Sequence, residues 1–316
     1  MTYEPEIIYH HINVTNESGE TEFFENISKD FIVVGVEVTL PQYEEYCMIS
    51  IDPQHSPNQQ NQITSIEYIF NFQDSILEVV KEFNKIVLTT VKTDIDSIGT
   101  MAIITLLLRN ELKLDGDLIL RLKAIAKSDR HGRRNWKMQK EDYFHFNDYN
   151  IFGLPSGLAY MTSDHKITID QKVKNVISYL ITGTFKTLNK YNNLVYNNLK
   201  QSNKNTSLKI IVPKKLCFVE SKHRGGIAYG YKQTSCVIAK NPSFSFGQEP
   251  SKIIGTKITI AQYSDSNFID LNKVRFELNQ IEPGWGGSNV IIGSPLTKPT
   301  TISNEQVIAI CKKHLL

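Results

Sequence analysis

Cysteine is scarce in this chain of 316 residues: Cys47, Cys217, Cys236 and Cys311 stand far apart, with no Cys-x-x-Cys pair. That argues against a zinc ribbon and a disulfide framework and makes a reducing compartment the expectation. Charge of one sign is also lacking. Lys and Arg number 35 against 33 Asp and Glu, a formal net charge of +2, too balanced for a protein that coats duplex DNA. A short or small phosphorylated ligand stays open. Long apolar runs are missing too: the most apolar, Met101–Leu108, is far too short to span a bilayer. The opening residues Met-Thr-Tyr-Glu-Pro-Glu lack the basic and apolar regions of a signal peptide. The expectation is a soluble, cytoplasmic protein with no membrane partner. There is no internal repeat, low-complexity tract, Gly-x-Ser-x-Gly elbow, Walker loop or dinucleotide fingerprint.

What is present is ordinary globular composition, 41% hydrophobic and 22% charged. At roughly 150 residues per domain the length suggests two domains. Phe31 to Leu40, Tyr46 to Ile51 and Lys85 to Val91 read as strands. Ser75 to Phe83 and Met101 to Leu112 read as helices, the second apolar almost all round, as in a helix buried on a sheet. Leu122 to Ala126 is either strand or helix. Asp170 reads as the N-cap of a helix carrying Val173, Val176, Ile177, Leu180 and Ile181, which continues with interruptions at Gly183 and Thr184 toward Leu199. Gln201 to Ser207 is linker-like, and the boundary falls in or just before it. Strand signals return at Leu208 to Val212, Cys236 to Ala239, Lys257 to Gln262 and Val290 to Ile292. Leu271, Val274, Leu278 and Ile281 recur at helical spacing. A closing helix has a Ser303/Gln306 capping box and an Ile302–Val307 staple. The expected fold is α/β, a mainly parallel sheet in an N-terminal domain and a smaller α/β C-terminal domain, with the active-site cleft between them.

The informative pattern lies just past the ends of three apolar segments. Ile51 leads into Asp52-Pro53-Gln54-His55, Val91 into Lys92-Thr93-Asp94-Ile95-Asp96, and Ile125 into Asp129-Arg130-His131. In a parallel sheet the carboxyl ends of the strands share one rim, where ligands bind. Aspartates gathered there repel one another unless a cation neutralises them. Carboxylates with imidazoles suit manganese, magnesium or iron, and two such ions about 3.5–4 Å apart support phosphoester hydrolysis. Each aspartate also has a structural role open to it: Asp96 as a helix cap, Asp52-Pro53 as a turn. Asp94-x-Asp96 weighs most toward function, because two carboxylates exceed what capping needs.

Thr93-Asp94-Ile95-Asp96-Ser97-Ile98-Gly99 resembles the Asp-x-Asp motif of the DHH phosphoesterase superfamily, and Asp52-Pro53-Gln54-His55 resembles a degenerate form of its Asp-His-His signature. Ala124 to Asp129 is similar to the stretch bearing the family's last aspartate ligand. Gly286-Gly287-Ser288-Asn289-Val290-Ile291-Ile292-Gly293 has the spacing of the Gly-Gly-His-x-x-Ala-x-Gly motif of the DHH-associated C-terminal domain. The resemblance implies a DHH-like metal-binding domain over 1–150, a helical connector over 151–206 and a DHH-associated substrate-binding domain over 207–316. It implies one or two Mn2+ (or Mg2+) ions on Asp52, His55, Asp94, Asp96 and Asp129, with Asp94, Asp96 and His55 catalytic. Arg224, Gly286, Gly287 and Ser288 would hold the substrate: a phosphorylated small molecule, nucleotide or short oligonucleotide; His131 is either a further phosphate contact there, a metal ligand or a solvated residue. A homodimer is compatible. The order of the two N-terminal motifs is reversed from the family's, Thr90 stands where the family has a histidine, and Ser288 stands for the glycine-loop histidine. Those departures favour the alternative, a non-catalytic relative that binds a phosphoryl ligand or a metal. His10-His11 is either a source of imidazole or part of an N-terminal strand. Arg130, Arg133 and Arg134 are either a phosphate patch or a solvated loop, and Trp285 either a stacking platform or a packed plug.

Overall fold

A computed structural model describes residues 5–12, 27, 30–38, 40, 47–53, 63–131, 155–223, 226–231, 233–247, 252–262 and 268–316. The chain divides into two compact units, Met1–Gly132 with Phe152–Asn193 in the first, and Leu194–Leu316 in the second.

The first unit is built on strands β1 (Glu6–His11), β2 (Phe31–Val36), β3 (Cys47–Ile51) and β4 (Lys85–Thr90). They form one all-parallel sheet in the order β1-β4-β2-β3. The central strands β2 and β4 are buried at every position but the first, because both faces are covered. Ile32, Val34, Ile86 and Leu88 pack into the main core; Val33 and Val87 face a smaller cluster with Ile12 and Leu40. Helices α1 (Ser65–Asn71) and α2 (Gln73–Val80) precede β4, and α3 (Ile95–Leu108) comes after it. Every residue of α3 is buried, which explains its lack of a polar face; each fully buried Leu or Ile there contributes about 1.5–3 kcal/mol. Helix α4 (Gly116–His131) comes next, so Leu122–Ala126 is helical and Asp129 lies in a last helical turn, not after a strand.

Helices α5 (Ser156–Thr162) and α6 (Ile169–Thr182) place Leu158, Met161, Val173, Val176 and Leu180 in the same core as α3. Thr168, not Asp170, caps α6: its hydroxyl accepts from Gln171 N–H, and Asp170 pairs instead with Lys174 at 2.8 Å. After Gly183, helix α7 runs from Leu188 to Lys204. The linker-like stretch Gln201–Ser207 is therefore the last turn of α7 and the start of the next strand.

The second unit is a mixed sheet of β5 (Thr206–Val212), β6 (Leu216–Ser221), β7 (Cys236–Phe246), β8 (Ile253–Gln262), β9 (Gly286–Gly287) and β10 (Ile291–Gly293), in the order β5-β6-β7-β8-β10-β9. Its one parallel pair, β6 with β7, is joined through the short helix α8 (Gly226–Gly230), as a parallel crossover requires. Helices α9 (Leu271–Ile281) and α10 (Asn304–Lys313) complete the core with Trp285, and the Ser303/Gln306 capping box is formed. Trp285 is thus a packed plug, 4% exposed. The carboxylate that ends α9, Glu282, accepts from Trp285 Nε1 (3.2 Å), Thr300 Oγ1 (2.6 Å), and Thr301 N (2.9 Å) and Oγ1 (3.1 Å). Burial alone would raise its pKa, but these bonds outweigh it and hold the acid below its ordinary value. Glu282→Ala leaves the buried donors of Trp285 and Thr300 without their acceptor and is expected to cost about 2–4 kcal/mol in urea unfolding.

Candidate metal centre

The carboxyl ends of the four parallel strands share one rim, and acid stands just beyond three of them: Glu37 after β2, Asp52 after β3, and Asp94-Ile95-Asp96 after β4. The turn out of β4 is fixed locally. Thr90 Oγ1 donates to the Lys92 carbonyl (3.2 Å) and accepts its N–H (3.3 Å), so the position where the resembling family has a histidine shapes the turn here. Asp94 caps α3, accepting from Ser97 N at 3.1 Å, and pairs with Lys92 at 2.7 Å. Burial would raise the Asp94 pKa, but Lys92 and the Ser97 bonds hold it below its usual value.

Asp96, two residues on, is fully buried. Its Oδ2 accepts from Ser65 N (2.7 Å) and its Oδ1 from Ile66 N (3.1 Å), the first two amides of α1. Helix α1 approaches this closely because Gly99, one turn along α3, has no Cβ; one placed there would stand 2.8 Å from Ile66 Cδ1. The two amides leave Asp96 further lone pairs, since each carboxylate oxygen accepts more than one bond. The capping role and a ligand role are therefore compatible.

Glu37 and Asp129 meet Asp96 there. One carboxylate oxygen of each lies within 4.8 Å of the others, close enough for a single cation to touch all three after small side-chain adjustments. Glu37 leaves β2 in a left-handed backbone conformation (φ 54°), its N–H held by the Ile51 carbonyl at 2.8 Å. A non-glycine residue held this way costs roughly 1–2 kcal/mol, a strain that surrounding structure must over-determine. Ser97 Oγ lies 2.5 Å from Glu37 Oε2 and 2.9 Å from Asp94 Oδ1, linking the three-carboxylate group to the α3 cap.

Three acids so close cannot all ionise without a counter-cation. Burial first, then the charges of Asp94, Asp96 and Asp129, push Glu37 up to about 10. Burial and Asp129 push Asp96 up to about 7, against the bonds from Glu37, Ile66 and Ser65. Burial and the neighbouring acids therefore favour the protonated form of Glu37 in the absence of metal. An all-oxygen donor set fits a hard divalent ion such as magnesium, calcium or manganese. Ser65 Oγ is buried and has no hydrogen-bond partner among the described residues, while its own amide is on Asp96.

Of the residues singled out in the sequence, the structure brings Asp96 and Asp129 together, with Asp94 linked to them through Ser97. Asp52 lies beyond β3 at the same rim and is not among the three. His55 and Arg224 lie outside the described residues, as does the side chain of His131. His11 sits on β1, its Nε2 3.1 Å from the Val91 carbonyl. In the second unit Gly286-Gly287 is a hairpin arm paired with β10, and Ser288 N–H closes the turn on the Ile291 carbonyl. Gly287 (φ 125°) admits no side chain, since a Cβ would fall 2.2 Å from the Ile291 oxygen, and its carbonyl accepts from Arg275 Nη1 at 2.7 Å. Glu37 is the residue that sequence reasoning missed: reading one strand through to Leu40 put it mid-strand, whereas β2 stops at Val36 and Glu37 is a strand exit like Asp52.

The chain matches no family model and no curated protein. Among the described residues, no helix is long and apolar enough to cross a membrane.

Proposed function

We propose that the first unit is a metal-dependent phosphoesterase, of the DHH-like kind that the Asp94-x-Asp96 segment resembles. The observation that carries this reading is the meeting of Glu37, Asp96 and Asp129 at the carboxyl rim of a parallel sheet. A divalent ion held there, Mn2+ or Mg2+, supplies Lewis acidity to a phosphoryl oxygen and acidifies a water. The chain's own part is to hold and orient. The Ser65 and Ile66 amides fix both oxygens of Asp96, Ser97 aligns Glu37 against Asp94, and Lys92 keeps Asp94 ionised beside the group. The substrate class is a phosphorylated small molecule, nucleotide or short oligonucleotide.

A phosphate-release screen with added manganese tests the reading on nucleotides, oligonucleotides and polyphosphate. Wild type is expected to turn over at least one of them. Asp96→Asn should lose at least about 100-fold, the scale of one preorganised electrostatic contact. Asp94→Asn, which disturbs orientation, should lose less and keep the ion. A second reading, metal or phosphoryl binding without turnover, is favoured by the absence of any imidazole from the group among the described residues. Manganese binding with no hydrolysis of any substrate class would establish that reading instead.

A further inference from the structure

Lys172 stands four residues into α6 and is 2% exposed. Its Nζ donates to Thr93 Oγ1 at 2.8 Å, on the turn that carries Asp94 and Asp96. Among the described residues it makes no ion pair. Asp170 pairs with Lys174; Asp164, which accepts from Lys166 N and Tyr191 Oη, is the carboxylate whose charge acts on Lys172, without forming an ion pair with it. The ammonium is therefore disfavoured twice over. It is desolvated, and it lies near the positive N-terminal end of its own helix. One hydroxyl answers one of its three N–H donors. A methionine would fill the same space at less cost, so the cation calls for an anion. Thr93 is only partly buried, which gives that anion an approach from the rim.

We propose that Lys172 and Thr93 form an oxyanion-binding pair that receives the phosphoryl group of the ligand at the carboxylate centre. This rests on the metal-centre reading above. Burial also holds the Lys172 pKa below the ordinary lysine value, consistent with an amine whose charge the bound anion would restore.

The test is calorimetric titration of inorganic phosphate into the manganese-loaded protein, with manganese affinity and thermal midpoint measured alongside. Lys172→Met should weaken phosphate binding roughly tenfold or more, the range of a charge-assisted hydrogen bond. It should leave manganese affinity within about twofold and raise the thermal midpoint, since a buried unpaired cation is removed. Thr93→Val should weaken phosphate binding by a smaller factor. Lys172→Gln, which keeps a polar donor, serves if the Met variant does not fold and should show the same loss. Unchanged phosphate affinity in the folded Lys172 variant, or a manganese-loaded wild type that binds no phosphate, overturns the proposal. If wild type binds no manganese, the metal-centre reading fails, and the same titration on metal-free protein still decides the pair. Phosphate binding lost in the Lys172 variant upholds it, and no binding or equal binding overturns it.

Discussion

Glu37→Gln is expected to stabilise the metal-free protein at pH 8 by about 2 kcal/mol and to abolish the thermal shift that manganese gives wild type. Both effects have one geometric origin. Glu37 is pressed against Asp96 and Asp129, so without metal it must carry a proton that the unfolded chain releases at its ordinary pKa. A neutral amide removes that penalty and still offers Ser97 and Asp96 hydrogen-bonding groups. The same change removes a ligand. Wild type at 100 times its dissociation constant in metal gains about 2.7 kcal/mol, and the variant should gain almost none. Urea unfolding with and without manganese measures both. A variant less stable than wild type at pH 8 would show that Glu37 is held ionised by something other than a proton or a cation.

The metal-free protein should also lose stability as pH rises, in a window set by two groups. Glu37 is raised from 4.5 to about 10 and Asp96 from 3.8 to about 7. Within those ranges the fold binds more protons than the unfolded chain, so stability falls with pH. Their contribution is complete below pH 4; the Asp96 part is gone above about 7 and the Glu37 part above about 10. The slope approaches about 1.4 kcal/mol per pH unit for each group still protonated in the fold. His10, held low by burial, acts in the opposite sense around its own ordinary value and only softens the middle of the curve. Saturating manganese should flatten the profile, because the ion replaces the protons. Unfolding curves from about pH 5 to 9 that are level without metal would contradict the assignment of both shifted acids.

The apolar sequences were the most legible part of the fold. KIVLTT and FIVVGV can hardly be anything but doubly covered strands, and a helix as uniformly apolar as Ile95–Leu108 has to be buried on all sides. The Ser303/Gln306 box stated its own helix start. Less legible were places where tertiary contacts decide. The first two amides of helix α1 donate to Asp96, 31 and 30 residues away, so no local capping pattern announces that partnership, although Thr64 and Glu67 form a local box as well. Asp129 follows a segment that the sequence leaves open between strand and helix, and it reaches the site from a helix; its position is legible and its element is not. Glu37 was hidden because nothing in FIVVGVEVTL marks where β2 ends. That end is set by a positive-φ residue and by a hydrogen bond to Ile51, both invisible in composition. Lys172 is not marked by any motif, and packing is what shows it buried.

Titration of manganese into the metal-free protein in two buffers of different ionisation enthalpy bears most directly on the three-carboxylate centre, because it counts protons displaced as the ion binds. Saturable binding is expected, releasing about one proton at pH 8 and rising toward two as pH falls through 7, and it should be lost in Asp96→Asn. Binding with no proton release, or unaltered by that substitution, would mean that the ion, if it sits anywhere, does not sit on Glu37, Asp96 and Asp129.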